Sequence, residues 1–252
     1  MPIVSAGGLD IHYLEAGSGP ALVLLHGGLA TAGMMFASRV EELAPHYHVH
    51  APDARGHGET PNPAGTLTYA QMADDVAAFI AALGLRTPHI VGYSDGGQVA
   101  LEFGLRHPGI AASLTLGGTI SRMSQVYLDG LREWGFVTPG EPDVAQIERS
   151  FGEFFAVLKT GHRDWQRLLT QISVLWASVP DYTDAQLAAI SEPTLVIRGD
   201  RDHMAPLADS ERLYRTIPNA QLAVVPGSPH GAADRDVFWA IVRDFHARLG
   251  IT

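Results

Sequence analysis

The chain has 252 residues, 46% of them hydrophobic, which suits one soluble globular domain with a sizeable core and room for one insertion. Acidic residues outnumber basic ones 27 to 17, a formal charge of −10 with no Lys/Arg cluster, so a phosphate-backbone partner such as nucleic acid is not expected. Cysteine is absent, which excludes a thiol nucleophile, a thiolate metal site and disulfides.

The apolar runs are far too short to span a bilayer. The first residues, MPIVSAGGLDIHYLE, lack the basic start and long apolar stretch of a signal peptide. The expected location is therefore cytoplasmic, with no membrane partner. Residues 2–15 read as two short strands around Gly7 and Gly8. Residues 21–25 form a continuous apolar run ending at His26, Gly27 and Gly28, as a buried strand running into a loop would. Residues 49–52 lead to Asp53 and a turn through Arg55, Gly56, His57 and Gly58. Over 69–83 the apolar Met72, Val76, Phe79, Ile80 and Leu83 recur at helical spacing, with Gly84 at the C-terminal cap. A strand follows at 88–92, a helix at 98–107 stopped by Pro108, and a strand at 113–116.

From 120 to 190 the alternation stops. Helical patterns there are broken by Gly130, Gly135, Pro139 with Gly140, Gly161 and Pro180. The stretch also carries Trp134, Trp165 and Trp176 together with Phe136, Phe151, Phe154 and Phe155. Alternation then resumes with strands at 193–198 and 221–225 and helices at 206–217 and 236–249. The expected fold class is α/β: a mostly parallel sheet covered on both faces, with its active site at the carboxyl ends of strands. The expected division is a core of 1–119 and 191–252 with a helical lid at 120–190.

The sharpest motif is Gly92-Tyr93-Ser94-Asp95-Gly96, a G-x-S-x-G between a predicted strand and a predicted helix. A serine lifted on so tight a turn needs small neighbours, and the helix that follows aims its amides and positive dipole end at the site. With this elbow in place, the chain resembles the α/β-hydrolase family nearly end to end. The matching pieces, in the family's order, are 22–28 (LVLLHGG), 53–58 (DARGHG), the elbow, 194–202 (TLVIRGDRD) and 227–231 (GSPHG).

The resemblance implies a Ser-His-Asp triad in the chain order serine, acid, histidine, with Ser94 as nucleophile. Among the later histidines, His107 stands at a helix end, His162 lies in the lid, His203 lies beside the acid loop, and His246 on the last helix is as free to face water as not. His230 follows the last predicted strand in a turn that can carry it over Ser94, and it matches the family's histidine. The family pattern puts the acid at Asp202, with Asp200 as turn former; the residues alone leave Asp200 open as the acid. The oxyanion hole implied is the backbone amides of Asp95 and Gly28, with Leu29 the alternative to Gly28. His26 is expected to brace this loop.

Candidate substrate-binding residues are Asp95, Leu29, Trp134, Phe154 and Trp176. An aspartate after the nucleophile resembles a subgroup in which it attracts a substrate ammonium, and it equally suits the first turn of a helix. His46, His48 and His50 alternate and would share one side of a strand; with no carboxylate partner evident they read as an exposed polar face, and no metal or cofactor is expected. The function implied is hydrolysis of a small-molecule carboxylic ester or lactone through an acyl-enzyme. The same triad also serves C–C bond hydrolases, proline-iminopeptidase-like aminopeptidases and cofactor-free perhydrolases. A small-molecule receptor on this fold is the reading from another class. The oligomeric state, monomer or homodimer, is left open.

Overall fold

The computed structural model describes residues 1–250, so the last two residues of the predicted core lie outside the described residues. Its strands are β1 (Ile3–Ala6), β2 (Leu9–Ala16), β3 (Ala21–Leu25), β4 (His48–Pro52), β5 (His89–Tyr93), β6 (Ser113–Gly117), β7 (Thr194–Gly199) and β8 (Ala220–Val225). They form one sheet in the order β1-β2-β4-β3-β5-β6-β7-β8. The pairs β1–β2 and β2–β4 are antiparallel and every later pair is parallel.

The continuous apolar runs are explained by two covered faces. Leu22 and Leu24 of β3, Val91 of β5 and Ile197 of β7 point to one side, where they meet Phe36 and Val40 of α1 (Ala32–Leu43) and Trp239, Val242 and Phe245 of α10 (Asp236–Arg248). Val23, Ile90, Leu114 and Val196 point to the other, against Met72 and Val76 of α2 (Tyr69–Ala82) and Val99 and Phe103 of α3 (Asp95–Arg106). Trp239 is 1% exposed and Phe245 fully buried; truncating either to alanine costs about 3–5 kcal/mol.

Helix α1 was not anticipated, although Thr31 ahead of Phe36, Val40 and Leu43 carries the signal. The Thr31 hydroxyl accepts from Met34 N at 3.1 Å, and Asp53 Oδ1 accepts from Ala32 N at 2.7 Å. Between β6 and β7 lie five helices: α4 (Gln125–Trp134), α5 (Val144–Phe151), α6 (Phe154–Thr160), α7 (Trp165–Trp176) and α8 (Asp184–Ala188). Gly130, expected as a break, sits inside α4, where its missing side chain leaves space for the sulfur of Met204. The helix ends instead at Gly135, in the left-handed conformation with φ 96°. α9 (Leu207–Thr216) packs beside β7 and β8. Among the described residues no helix is long and apolar enough to cross a membrane.

The structure decides one histidine left open by the sequence and corrects the reading of three others. His246 is completely buried, its Nδ1 3.1 Å from the Tyr47 hydroxyl and its ring stacked on His89 at 3.9 Å. The His46–His50 alternation is not an exposed polar face: His46 precedes β4, and His50 is 1% exposed. The carboxylate that the sequence did not reveal is Glu15, directly opposite His50 in the β2–β4 register.

The chain runs from β3 outward to β4, then returns to place β5 on the other side of β3. Two adjacent parallel strands whose connections leave in opposite directions open a crevice at their carboxyl ends. The loop after β3 and the turn after β5 meet there.

Candidate active site

β5 ends at Tyr93 and α3 begins at Asp95, three residues earlier than predicted, so Ser94 alone makes the turn. Its backbone is held at φ 56°, ψ −119°, a conformation that costs a residue with a side chain about 1–3 kcal/mol. A Cβ on Gly92 would overlap the carbonyl oxygen of Gly96, and one on Gly96 would overlap that of Leu25. Strand and helix backbones therefore touch, and only glycine permits it. Ser94 N donates to Gly117 O at 2.7 Å, pinning the turn to β6.

His230, from the loop after β8, places Nε2 2.9 Å from Ser94 Oγ. Its Nδ1 lies 2.9 Å from both carboxylate oxygens of Asp202, which follows β7. Because a carboxylate only accepts, Nδ1 carries the proton and Nε2 is left to accept from the serine hydroxyl. Asp202 Oδ1 also accepts from the amides of Met204 and Ala205, each at 2.9 Å. Burial pushes the Asp202 carboxyl up; the hydrogen bond and charge of His230 and these two amides outweigh it, holding the group below its ordinary value. Asp200 is exposed and faces away, with Oδ1 accepting from Ser228 N at 3.0 Å to shape the turn before His230. The Tyr93 hydroxyl accepts from Ala232 N at 2.9 Å and ties the histidine loop back to the elbow.

The loop after β3 is held from beneath. Ala54 N donates to His26 Nε2 at 3.0 Å, so His26 Nδ1–H donates to the Gly27 carbonyl at 2.8 Å. Burial drives the His26 pKa down to about 4 and keeps the ring neutral. A second histidine does the same work from α6–α7, unforeseen because 133 positions separate the partners. Gly58 N donates to His162 Nδ1 at 2.9 Å, and the opposite nitrogen donates to the Leu29 carbonyl at 2.9 Å. Leu29 corrects its assignment to the pocket: its side chain is 1% exposed within the core, its φ is 60°, and it lines neither cavity beside Ser94. A Cβ on Gly28 would overlap Asp95 Oδ2, so glycine there lets the loop close over the elbow.

Two cavities flank the serine. An outer one of about 270 Å³ is lined by Met34, Met35, Trp134, Phe151, Phe154 and Trp176. An inner recess of about 30 Å³ runs past Tyr69, Asp95, Tyr127, Leu131 and Met204. Trp134 and Trp176 border both. Of the remaining aromatic residues between β6 and β7, Phe136, Phe155 and Trp165 belong to the core. Asp95 lines the recess, yet its carboxylate is already engaged: Tyr69 Oη donates to Oδ1 at 2.9 Å, and Trp176 Nε1 to Oδ2 at 2.8 Å. Burial raises the Asp95 pKa against the pull of these donors.

The chain matches the Alpha/beta hydrolase family over residues 22–240. It is 32% identical over 241 residues to a pimeloyl-[acyl-carrier protein] methyl ester esterase of Xanthomonas campestris pv. campestris, covering 87% of this chain and 91% of that protein. It is 29% identical over 265 residues to a non-heme haloperoxidase of Rhodococcus erythropolis, covering 92% and 93%. A meta-cleavage product hydrolase from Pseudomonas fluorescens IP01 superposes with a TM-score of 0.86 at 22% identity, covering 98% of both chains, a likeness of fold.

Proposed function

This chain belongs to the α/β hydrolase family and is an enzyme of that family, and on that premise we propose that it is a serine hydrolase cleaving a small-molecule carboxylic ester or lactone. The observation that carries the reading is the unbroken hydrogen-bonded line from Ser94 Oγ through His230 to Asp202.

In the proposed mechanism His230 Nε2 takes the Ser94 proton as Oγ bonds to the carbonyl carbon. The tetrahedral oxyanion is received by the backbone amides of Asp95 and Gly28 at the amino end of α3. His230 then gives its proton to the departing alkoxide, leaving an acyl-serine. Water, deprotonated by the same histidine, attacks the acyl carbon and releases the acid. Asp202 stays ionised and stabilises the imidazolium in both half-reactions. No step calls for a cofactor.

The apolar outer cavity suits an uncharged organic group, and the recess, with room for a water molecule or two, suits a small one. The helices α4–α8 serve as the lid over both. The ester reading is further supported by the ester-cleaving relative from Xanthomonas campestris.

The test is hydrolysis of p-nitrophenyl esters from acetate to decanoate, with Ser94→Ala in parallel. The proposal expects turnover by the wild type, fastest on short acyl chains, and background rates from the variant. A variant with undiminished turnover would contradict it. If the wild type is also inactive on every ester, lactones, C–C substrates and ligand binding without turnover take precedence.

A further inference from the structure

We propose that Glu15, His48 and His50 form a binding site for one divalent transition-metal ion, Zn2+ in preference to Mg2+ or Ca2+. The site is built on two neighbouring strands. His48 and His50 sit two positions apart on β4 and share a face, while Glu15 on β2 is the cross-strand partner of His50. One ligand atom from each residue, two imidazole nitrogens and a carboxylate oxygen, lies within 4.8 Å of the others.

A tetrahedral zinc ion with bonds of roughly 2.0–2.2 Å holds its donors about 3.3 Å apart. His48 Nε2 is 2.8 Å from Glu15 Oε1, and His50 Nδ1 is 4.0 Å from the same oxygen. One distance brackets the requirement from below and the other from above. Small side-chain rotations would bring all three donors onto one ion.

His50 is the independent sign that something belongs there. It is 1% exposed, and neither of its ring nitrogens has a hydrogen-bond partner. Tyr13 and Phe79 pack around its ring at centroid distances of 6.1 and 6.4 Å. An apolar side chain would fill such a position without leaving polar atoms unsatisfied, whereas a metal bond would satisfy Nδ1. The Glu15 and His48 side chains are about one-third exposed, so an ion reaches the cluster from solvent and keeps water at its open position. Two imidazoles with one carboxylate favour zinc and its neighbours over hard oxygen-seeking cations.

The cluster stands apart from the proposed reaction. It lies toward the amino end of β4, whereas Ser94 follows the carboxyl end of β5, and both strands run parallel to β3. The proposal is therefore one of binding and stabilisation, independent of the hydrolytic reading.

The experiment is calorimetric titration of the chelator-treated full chain with ZnCl2, alongside Glu15→Gln, His48→Gln and, as a control, His46→Gln. The last matters because the chain holds 12 histidines and weak adventitious sites are to be expected. The expected result is one tight equivalent in the wild type and in His46→Gln, weakened at least about tenfold in the other two variants. Co2+ should give the intense visible bands of a tetrahedral site in the wild type and lose them in Glu15→Gln. Absence of a stoichiometric site, or equal affinity in all four proteins, would overturn the proposal.

Discussion

The indole N–H of Trp176 donates to Asp95 Oδ2 at 2.8 Å, joining the residue after the serine to the last turn of a helix 81 positions away. Tyr69, at the start of α2, holds the other oxygen of the same carboxylate at 2.9 Å. Asp95 thereby ties the elbow to α7 and to the core at once. Its substitution by asparagine would turn one acceptor into a donor facing donors, leaving a buried group unsatisfied at a cost of about 1–3 kcal/mol. Asp95→Asn should melt earlier and lose turnover on plain and aminoacyl esters by similar factors. A loss confined to aminoacyl esters, seen in a side-by-side KM comparison, would instead mark Asp95 as a site for a substrate ammonium.

The two aspartates after β7 have separate jobs. Asp202 faces His230 and Asp200 holds the Ser228 amide. Asp202→Asn should lower kcat by about 10⁴, as loss of the equivalent carboxylate does in serine proteases, because the imidazole is then held in the wrong tautomer. Asp200→Asn should retain most of its turnover, since an amide oxygen still accepts from Ser228. Equal losses in the two variants would refute this division.

His162 acts as a positioning residue through the loop after β3. His162→Ala removes the acceptor for Gly58 N and the donor to the Leu29 carbonyl. A loop misplaced by about 1 Å costs on the order of 10² in rate, so kcat should fall with little change in KM. His162→Gln, which can both accept and donate, should recover part of the loss. If the alanine variant only melts earlier and keeps its kcat, the residue is merely structural.

Acid should destabilise the fold as a whole. Burial lowers the pKa of His26 to about 4 and that of His246 to about 3, while the unfolded chain protonates histidine near 6.5. Between these limits the unfolded state binds more protons, so stability falls as pH drops from about 6.5 to 4. Each such group contributes a slope of up to about 1.4 kcal/mol per pH unit. Melting temperatures across this range should decline steadily. His246→Asn, which removes one titrating group, should flatten the curve.

The core strands and α2 could be read from the sequence because their residues pack where their periodicity says: Met72, Val76 and Ile80 all reach the core. The elbow was equally legible, since Gly92 and Gly96 answer a local steric demand. Asp202 against Asp200 was legible only through the family resemblance, because both residues suit the turn and only the folded loop brings one carboxylate to His230. The Leu29–His162 and Asp95–Trp176 contacts had no local signal; they exist only once α6 and α7 fold back over the sheet. The Glu15–His50 register was hidden for a related reason, since alternation along β4 says nothing about the residue opposite it on β2.

The most direct test of the account is reaction with a p-nitrophenyl alkylphosphonate, followed by intact-mass measurement and peptide mapping alongside residual ester hydrolysis. The prediction is one equivalent of adduct on Ser94, activity falling in proportion to labelling, and no labelling of His230→Ala. An enzyme that stays active with Ser94 fully modified, or one inactivated by an adduct elsewhere, would contradict the serine mechanism.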